Sequence, residues 1–241
     1  MMSKKGQLVT IIIILLTLVL LGAFFFAGLR ALGYYESAES QKTLEDMAVT
    51  LDEMNKYETA NMKITVDEES ALVGFNPGKP ALILVNQVPS GLTLIYTPVA
   101  VYGFNNLWCN TEKACLCIAR YGKKNMFDTA VLKGEVEGES YKRKEFEVSK
   151  KDVTCKELDN TLFVQNTKLA DTGYPSNPTS GYFLSEFQNG FILINQKPFY
   201  FKKTSQIWFY KDGNGITHFA FDKDYIEKLK SGQQNQPITA D

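Results

Sequence analysis

The sequence predicts a mainly β protein carried on an N-terminal helix: a transmembrane helix extended by an amphipathic stalk, then an antiparallel β-sandwich or partly open barrel. Three observations carry this expectation. Residues 8–29 form a run of 22 with no charge and no proline. Residues 36–56 keep a helical spacing of apolar side chains but turn polar between them. From Met62 onward, short runs rich in Val, Ile, Phe, Tyr and Leu alternate with turn residues. The composition, 241 residues with 44% hydrophobic and 22% charged, excludes a disordered tail or a collagen-like repeat.

The first element follows from length and charge. At about 1.5 Å per residue the run 8–29 makes roughly 33 Å of helix, enough to span a bilayer. Lipid offers no hydrogen-bond partners, so the run must be helical, and Thr10 and Thr17 can bond back to carbonyls of their own helix. A cleaved secretory signal has an apolar core of only about 7–15 residues. The run exceeds that, and Phe24-Phe25-Phe26 suits a peptidase poorly, so a retained anchor is expected. Lys4 and Lys5 precede the span and Arg30 alone follows it, which predicts a cytoplasmic amino terminus and an exported carboxy-terminal domain. Tyr34 and Tyr35 fall one turn past the hydrocarbon edge and read as membrane-interface anchors. The lipid bilayer is thus the first expected partner. Residues 31–241 carry 23 basic against 27 acidic side chains, and a net charge of −4 does not attract a phosphate backbone, so no nucleic-acid partner is expected.

In the stalk, Leu44, Met47, Ala48, Leu51 and Met54 recur at spacings of three and four, and no Gly or Pro interrupts the pattern after Gly33. The apolar stripe needs a cover. Either the chain's own β domain supplies it, or a protein partner or second copy does so through the stalk. The expected organisation is a basic leader over 1–6, a transmembrane helix over 7–30, a stalk over 31–58, a β-rich domain over 60–231 and a polar tail over 232–241.

The amino terminus resembles an archaeal type IV pilin-like precursor. The resemblance rests on a short basic leader ending Lys4-Lys5-Gly6, a following Gln7, a long apolar helix that becomes amphipathic, and a cysteine-bearing β domain. It implies processing between Gly6 and Gln7 by a prepilin peptidase. The acidic residue common at the fifth mature position of pilins is replaced here by Ile11, which cannot make the charge contact that recruits subunits into a filament.

Strands are expected at 62–66, 71–75, 81–85, 92–96, 99–102, 116–121, 131–137, 146–148, 162–165, 191–195, 199–202, 207–211 and 216–221. Asn76-Pro77-Gly78-Lys79, Pro89-Ser90-Gly91 and Asp212-Gly213-Asn214-Gly215 supply the reversals between them. The last could suggest a calcium loop, but Ile216, Thr217 and Lys223 stand where an oxygen ligand, a glycine and a bidentate glutamate are required, so it is a hairpin turn. Asp222 caps a short helix through Ser231, with Tyr225, Ile226 and Leu229 on one face. Residues 171–181 compose a long loop, either a solvated crossover or a binding surface. The aromatic-rich stretch 182–221 is read as core first and as a binding face second.

Cys109, Cys115, Cys117 and Cys155 are expected to form two disulfides. Cys115 and Cys117 lie two apart on one strand and cannot bridge each other without distortion. The pairings left are Cys109–Cys115 with Cys117–Cys155, which is preferred, or Cys109–Cys117 with Cys115–Cys155. A four-thiolate metal site is less favoured, because paired Cys-x-x-Cys knuckles are missing and an exported domain meets an oxidising environment. His218 is the only histidine. No phosphate-cradling glycine loop, zinc-protease helix motif, dinucleotide fingerprint or nucleophile elbow occurs, and acid pairs such as Glu135 with Glu137 are ordinary at strand ends. No cofactor or metal is expected. The function expected is that of a single-pass, membrane-anchored surface protein with a structural or adhesive role. The alternative is a membrane-tethered extracellular enzyme or solute-binding domain.

Overall fold

The computed structural model describes residues 4–88, 97–105, 109–110, 112–122, 125–135, 142–168, 181–196, 199–200 and 204–232. Side chains are described at all of these except 4–12, 29–38, 87–88, 97–99, 135, 181–183, 185 and 199–200. The chain divides into two units, 1–39 and 40–241.

One uninterrupted helix, α1 (Lys4–Glu53, 50 residues), opens the chain. In the first unit it presents apolar side chains on every side over 13–28. In the second unit its polar continuation buries a stripe of Ser40, Thr43, Leu44, Met47, Ala48 and Leu51, spaced to keep one face inward. It stops at Glu53 because the next residues turn away. Asn55 N–H donates to Glu58 Oε2 at 2.7 Å, Tyr57 adopts φ +64°, and Tyr57 N–H donates to Lys211 O at 2.6 Å. The buried Lys211 ammonium donates to Met54 O at 3.1 Å and to Asn160 O, so a cation meets the carbonyl end of the helix dipole.

Fifteen strands are described, arranged in three sheets. The first is β1 (Thr59–Thr65), β14 (Thr204–Lys211), β15 (Ile216–Ala220) and β9 (Leu162–Phe163), hydrogen-bonded in that order. The second has the order β10 (Asn166–Lys168), β11 (Gly181–Gln188), β3 (Ala81–Val88), β4 (Thr97–Phe104), β7 (Lys142–Glu145) and β6 (Val131–Glu135). The third has the order β13 (Phe199–Tyr200), β12 (Gly190–Gln196), β2 (Ser70–Phe75), β5 (Ala114–Arg120) and β8 (Val153–Leu158). β3 alternates: Ala81, Ile83 and Val85 are buried while Leu82 and Leu84 are half-buried, so one face is the core face. β2, by contrast, is buried at all six positions, and β5 and β12 at six of their seven. Their runs Ala71-Leu-Val-Gly-Phe75, Cys115-Leu-Cys-Ile-Ala119 and Phe191-Ile-Leu-Ile194 lack polar alternation because both faces are covered.

The second half of α1 lies along this doubly covered sheet. Gln41 accepts from Arg120 at the carboxy end of β5, whereas Asp52 accepts from the N–H of Asp159, just past the end of β8. Because β8 runs antiparallel to β5, with Leu158 opposite Ala114, the helix runs back along β5. Thr161 Oγ1 donating to Leu51 O, and Thr65 N–H donating to Thr43 Oγ1, fasten it further. The stripe of the stalk is thus covered by the chain's own β domain.

A chain of aromatic contacts joins the three sheets. Phe187 of β11 meets Phe219 of β15 at 5.8 Å between ring centroids, Phe219 meets Phe191 of β12 at 5.1 Å, and Phe191 meets Phe163 of β9 edge-on at 5.2 Å. All four rings are buried. Gly74 is the cross-strand partner of Phe191, and a Cβ there would stand 2.4 Å from the Phe191 ring. The glycine is what lets the ring lie down on β2.

The sandwich-like, mainly β domain agrees with the sequence reading in class and differs in detail. There are three sheets and a helix layer rather than two facing sheets, since the unalternating strands of the third sheet need covering on both sides. The pairing is not wholly antiparallel: β15 pairs with β9, and β4 with β7, in parallel. β7, β8, β10 and β11 fall outside the predicted strands. β7 reads Lys-Arg-Lys-Glu and is held by its neighbours β4 and β6 rather than by any apolar pattern of its own. The strand predicted at 146–148 is not one: Phe146 is a core plug, stacked on Tyr102 at 5.4 Å and tilted against Phe104 at 4.9 Å between ring centroids. The strand predicted at 92–96 lies outside the described residues, as does the tail from 233. The hairpin at 207–221 forms, with Trp208 opposite Ala220, and α3 (Lys223–Lys230) follows, its Asp222 cap accepting from Asp224 N–H at 2.9 Å. A short helix, α2 (Met126–Thr129), was not predicted.

Candidate functional site

Three of the four cysteine sulfurs converge, those of Cys109, Cys117 and Cys155. Cys117 and Cys155 are directly opposed on β5 and β8, with Cα atoms 4.1 Å apart, and are joined by a disulfide. Cys115, two residues before Cys117, is buried on the same face of β5. Cys109, in the segment that leads into β5, is half-buried, and its Sγ lies 3.5 Å from that of Cys117 and 4.0 Å from that of Cys155. Of the two bridges in the preferred pairing, Cys117–Cys155 is closed, while Cys109 and Cys115 are thiols. Interaction with Cys115, then burial and the Glu157 carboxylate, pushes the Cys109 thiol well above the ordinary range. The same interaction pulls Cys115 down, against its own burial. The sulfurs of Cys109, Cys117 and Cys155 lie within 4.8 Å of one another, the spacing of a soft-metal site were the bridge open.

The other predicted site residues sit on α1. Gly6, Gln7, Tyr34 and Tyr35 are all within its helical backbone, and their side chains lie outside the described residues. Over 13–28 the large apolar side chains are exposed by 54% at Ile14 to 76% at Phe24. Thr17 Oγ1 donates to Ile13 O at 2.8 Å, the back-bond expected of a hydroxyl on an apolar helix. Among the described residues, no helix is long and apolar enough to cross a membrane. The stretch 13–28 amounts to about 24 Å at 1.5 Å per residue, short of a bilayer core of about 30 Å. A crossing needs the whole run 8–29, which keeps helical backbone throughout.

His218 belongs to the hairpin. Its Nε2 lies 3.1 Å from Asp212 Oδ2, while Asp212 Oδ1 accepts from the N–H groups of Asn214 at 2.8 Å and Ile216 at 3.0 Å. Burial alone would raise the Asp212 carboxyl, but the His218 contact and the two backbone donors outweigh it and hold the carboxyl below its ordinary value near 3.8. A depressed folded-state value contributes stability above the unfolded value, and that contribution is lost as pH falls through the folded one. The Asp212→Asn variant should therefore melt below the wild type at pH 6, with the gap closing as pH is lowered from about 4 toward 2. A gap independent of pH in thermal melts would refute this role.

Of the aromatics weighed as a binding face, Phe187, Phe191, Phe209 and Tyr210 are buried and Trp208 is half-buried. Residues 171–180 of the long loop lie outside the described residues, as does Glu137. No protein-family model, curated protein or solved structure matches this chain.

Proposed function

We propose that this is a single-pass membrane protein, amino terminus inside, that displays a disulfide-tied β domain on the outer surface in a structural or interaction role. The observation that carries the reading is the all-round exposure of large apolar side chains over 13–28. Eleven Ile, Leu, Val and Phe residues there are each more than half exposed. Leaving such side chains in water costs about 1.5–3 kcal/mol apiece. The total, on the order of tens of kcal/mol, exceeds the ~5–15 kcal/mol by which a domain is stable. Such a helix needs an apolar solvent on all sides, and a bilayer supplies one. The Cys117–Cys155 bridge supports an oxidising location for the β domain.

Within this reading, the basic leader ending at Gly6, the mature start at Gln7 and the continuation of one helix from an apolar run into a β domain support a pilin-like subunit. Tyr34 and Tyr35 would mark the outer interface. The test is topological. With a tag after Asp241, the β domain should resist alkaline carbonate extraction and be cut by protease added to intact cells. Amino-terminal sequencing should begin at Gln7 where a prepilin peptidase is present. A tag protected from protease in intact cells but cleaved after lysis would refute the orientation, and an intact leader would refute the pilin-like assignment.

A further inference from the structure

The sulfur cluster holds more than its one closed bridge. Cys115, one of the two free thiols, lies two residues before Cys117 on the same face of β5. Cys109 Sγ is nearly equidistant from the two sulfurs of the existing bridge, at 3.5 and 4.0 Å. It therefore stands beside that bond and not on its axis. Displacement at sulfur needs the incoming sulfur, the attacked sulfur and the leaving sulfur in line, so Cys109 is badly placed to open Cys117–Cys155. The partner left to it is the other free thiol, Cys115. A metal at the same spot would need the existing bridge opened, because two of the three sulfurs that lie within 4.8 Å of one another belong to it.

We propose that Cys109 and Cys115 are a second redox pair, which a low-molecular-weight disulfide oxidises to a bridge adjoining Cys117–Cys155. Access sets the order of events: an external disulfide can reach the half-buried Cys109 and not the buried Cys115, although Cys115 holds the more acidic thiol. The half-buried Cys109 loses its proton and attacks the external disulfide, forming a mixed disulfide and releasing one external thiol. The buried Cys115 then attacks Cys109 Sγ, loses its proton and expels the second external thiol. Two thiols of the protein are oxidised and one external disulfide is reduced. The closed loop ties the segment before β5 to the sheet. In the cell this rests on the exported reading, which supplies the oxidising compartment; the chemistry itself does not.

Peptide mapping separates the two. Full-length protein in detergent, prepared under reductant-free conditions and then incubated with oxidised glutathione, is alkylated in denaturant without reduction. Trypsin cuts at Lys113 and chymotrypsin at Leu116, which puts all four cysteines on separate peptides. The expected products are a Cys109 peptide joined to a Cys115 peptide and a Cys117 peptide joined to a Cys155 peptide. The intact mass should be about 4 Da below that of the fully reduced chain, two hydrogens per bridge. Alkylated Cys109 and Cys115 after oxidation, or either of them joined to Cys117 or Cys155, would overturn the proposal. In the Cys109→Ser variant, Cys115 should become alkylated while Cys117–Cys155 persists; a Cys115–Cys155 bridge there would also count against it. Protein trapped with alkylating agent at cell lysis answers the separate question of compartment. Open thiols in that sample, together with closure by glutathione, would support the pair and reject the exported reading.

Discussion

Replacing Leu16 and Leu20 together by arginine should release the protein from the membrane fraction. The run 8–29 contains sixteen Leu, Ile, Val and Phe residues. At about 0.3–0.6 kcal/mol each near the helix centre, they favour insertion by something like 5–10 kcal/mol. Two central arginines oppose it by about 5–7 kcal/mol, which cancels most of the drive. Both positions lie near the middle of the run, too far from either end for the side chains to reach the headgroups without cost. The measurement is the carbonate-resistant fraction of the L16R/L20R protein beside an L16A/L20A control, which should stay embedded. Persistence of the Cys117–Cys155 bridge would show that the β domain still folds. Unchanged carbonate resistance in the arginine variant would mean that something other than this run holds the protein, and the membrane reading would fall.

Phe191→Ala should be the most damaging single truncation in the β domain. Its ring is fully buried, touches Phe163 and Phe219, and lies over Gly74, so no side chain is positioned to fill the space it leaves. Loss of transfer free energy and the cavity together cost about 3–5 kcal/mol. For a unit of this size that corresponds to a melting temperature lower by roughly 6–20 °C. Phe191→Leu, which keeps most of the volume, should cost much less. A Phe191→Ala protein that melts within about 2 °C of the wild type would mean that the three sheets are not joined through this ring.

Local patterns made much of the architecture legible. The helix, the hairpin at 207–221, the Asp222-capped helix and most strands follow from short-range preferences: apolar spacing, glycine and asparagine at reversals, and a carboxylate at a helix start. β7 was invisible for the opposite reason. Four charged residues form a strand only because β4 and β6 stand ready on either side, and that pairing brings together residues about 40 positions apart. Phe146 was misread because burial, not strand pairing, selects its ring. Among the cysteines, spacing excluded a Cys115–Cys117 bridge and left two pairings. Register settled one bridge, by placing Cys117 opposite Cys155 and Cys115 opposite Glu157.

The division has one physical cause. Solvent preference is a property of each side chain, so the sequence by itself determined an apolar helical run, an amphipathic continuation and a β-rich domain with four cysteines. Which surfaces meet is a property of the folded chain. Only the tertiary structure decided that the stalk's stripe is spent on the domain's own sheet, that three strands are covered on both faces, and that the sulfur of Cys155 joins those of Cys109 and Cys117 in one cluster.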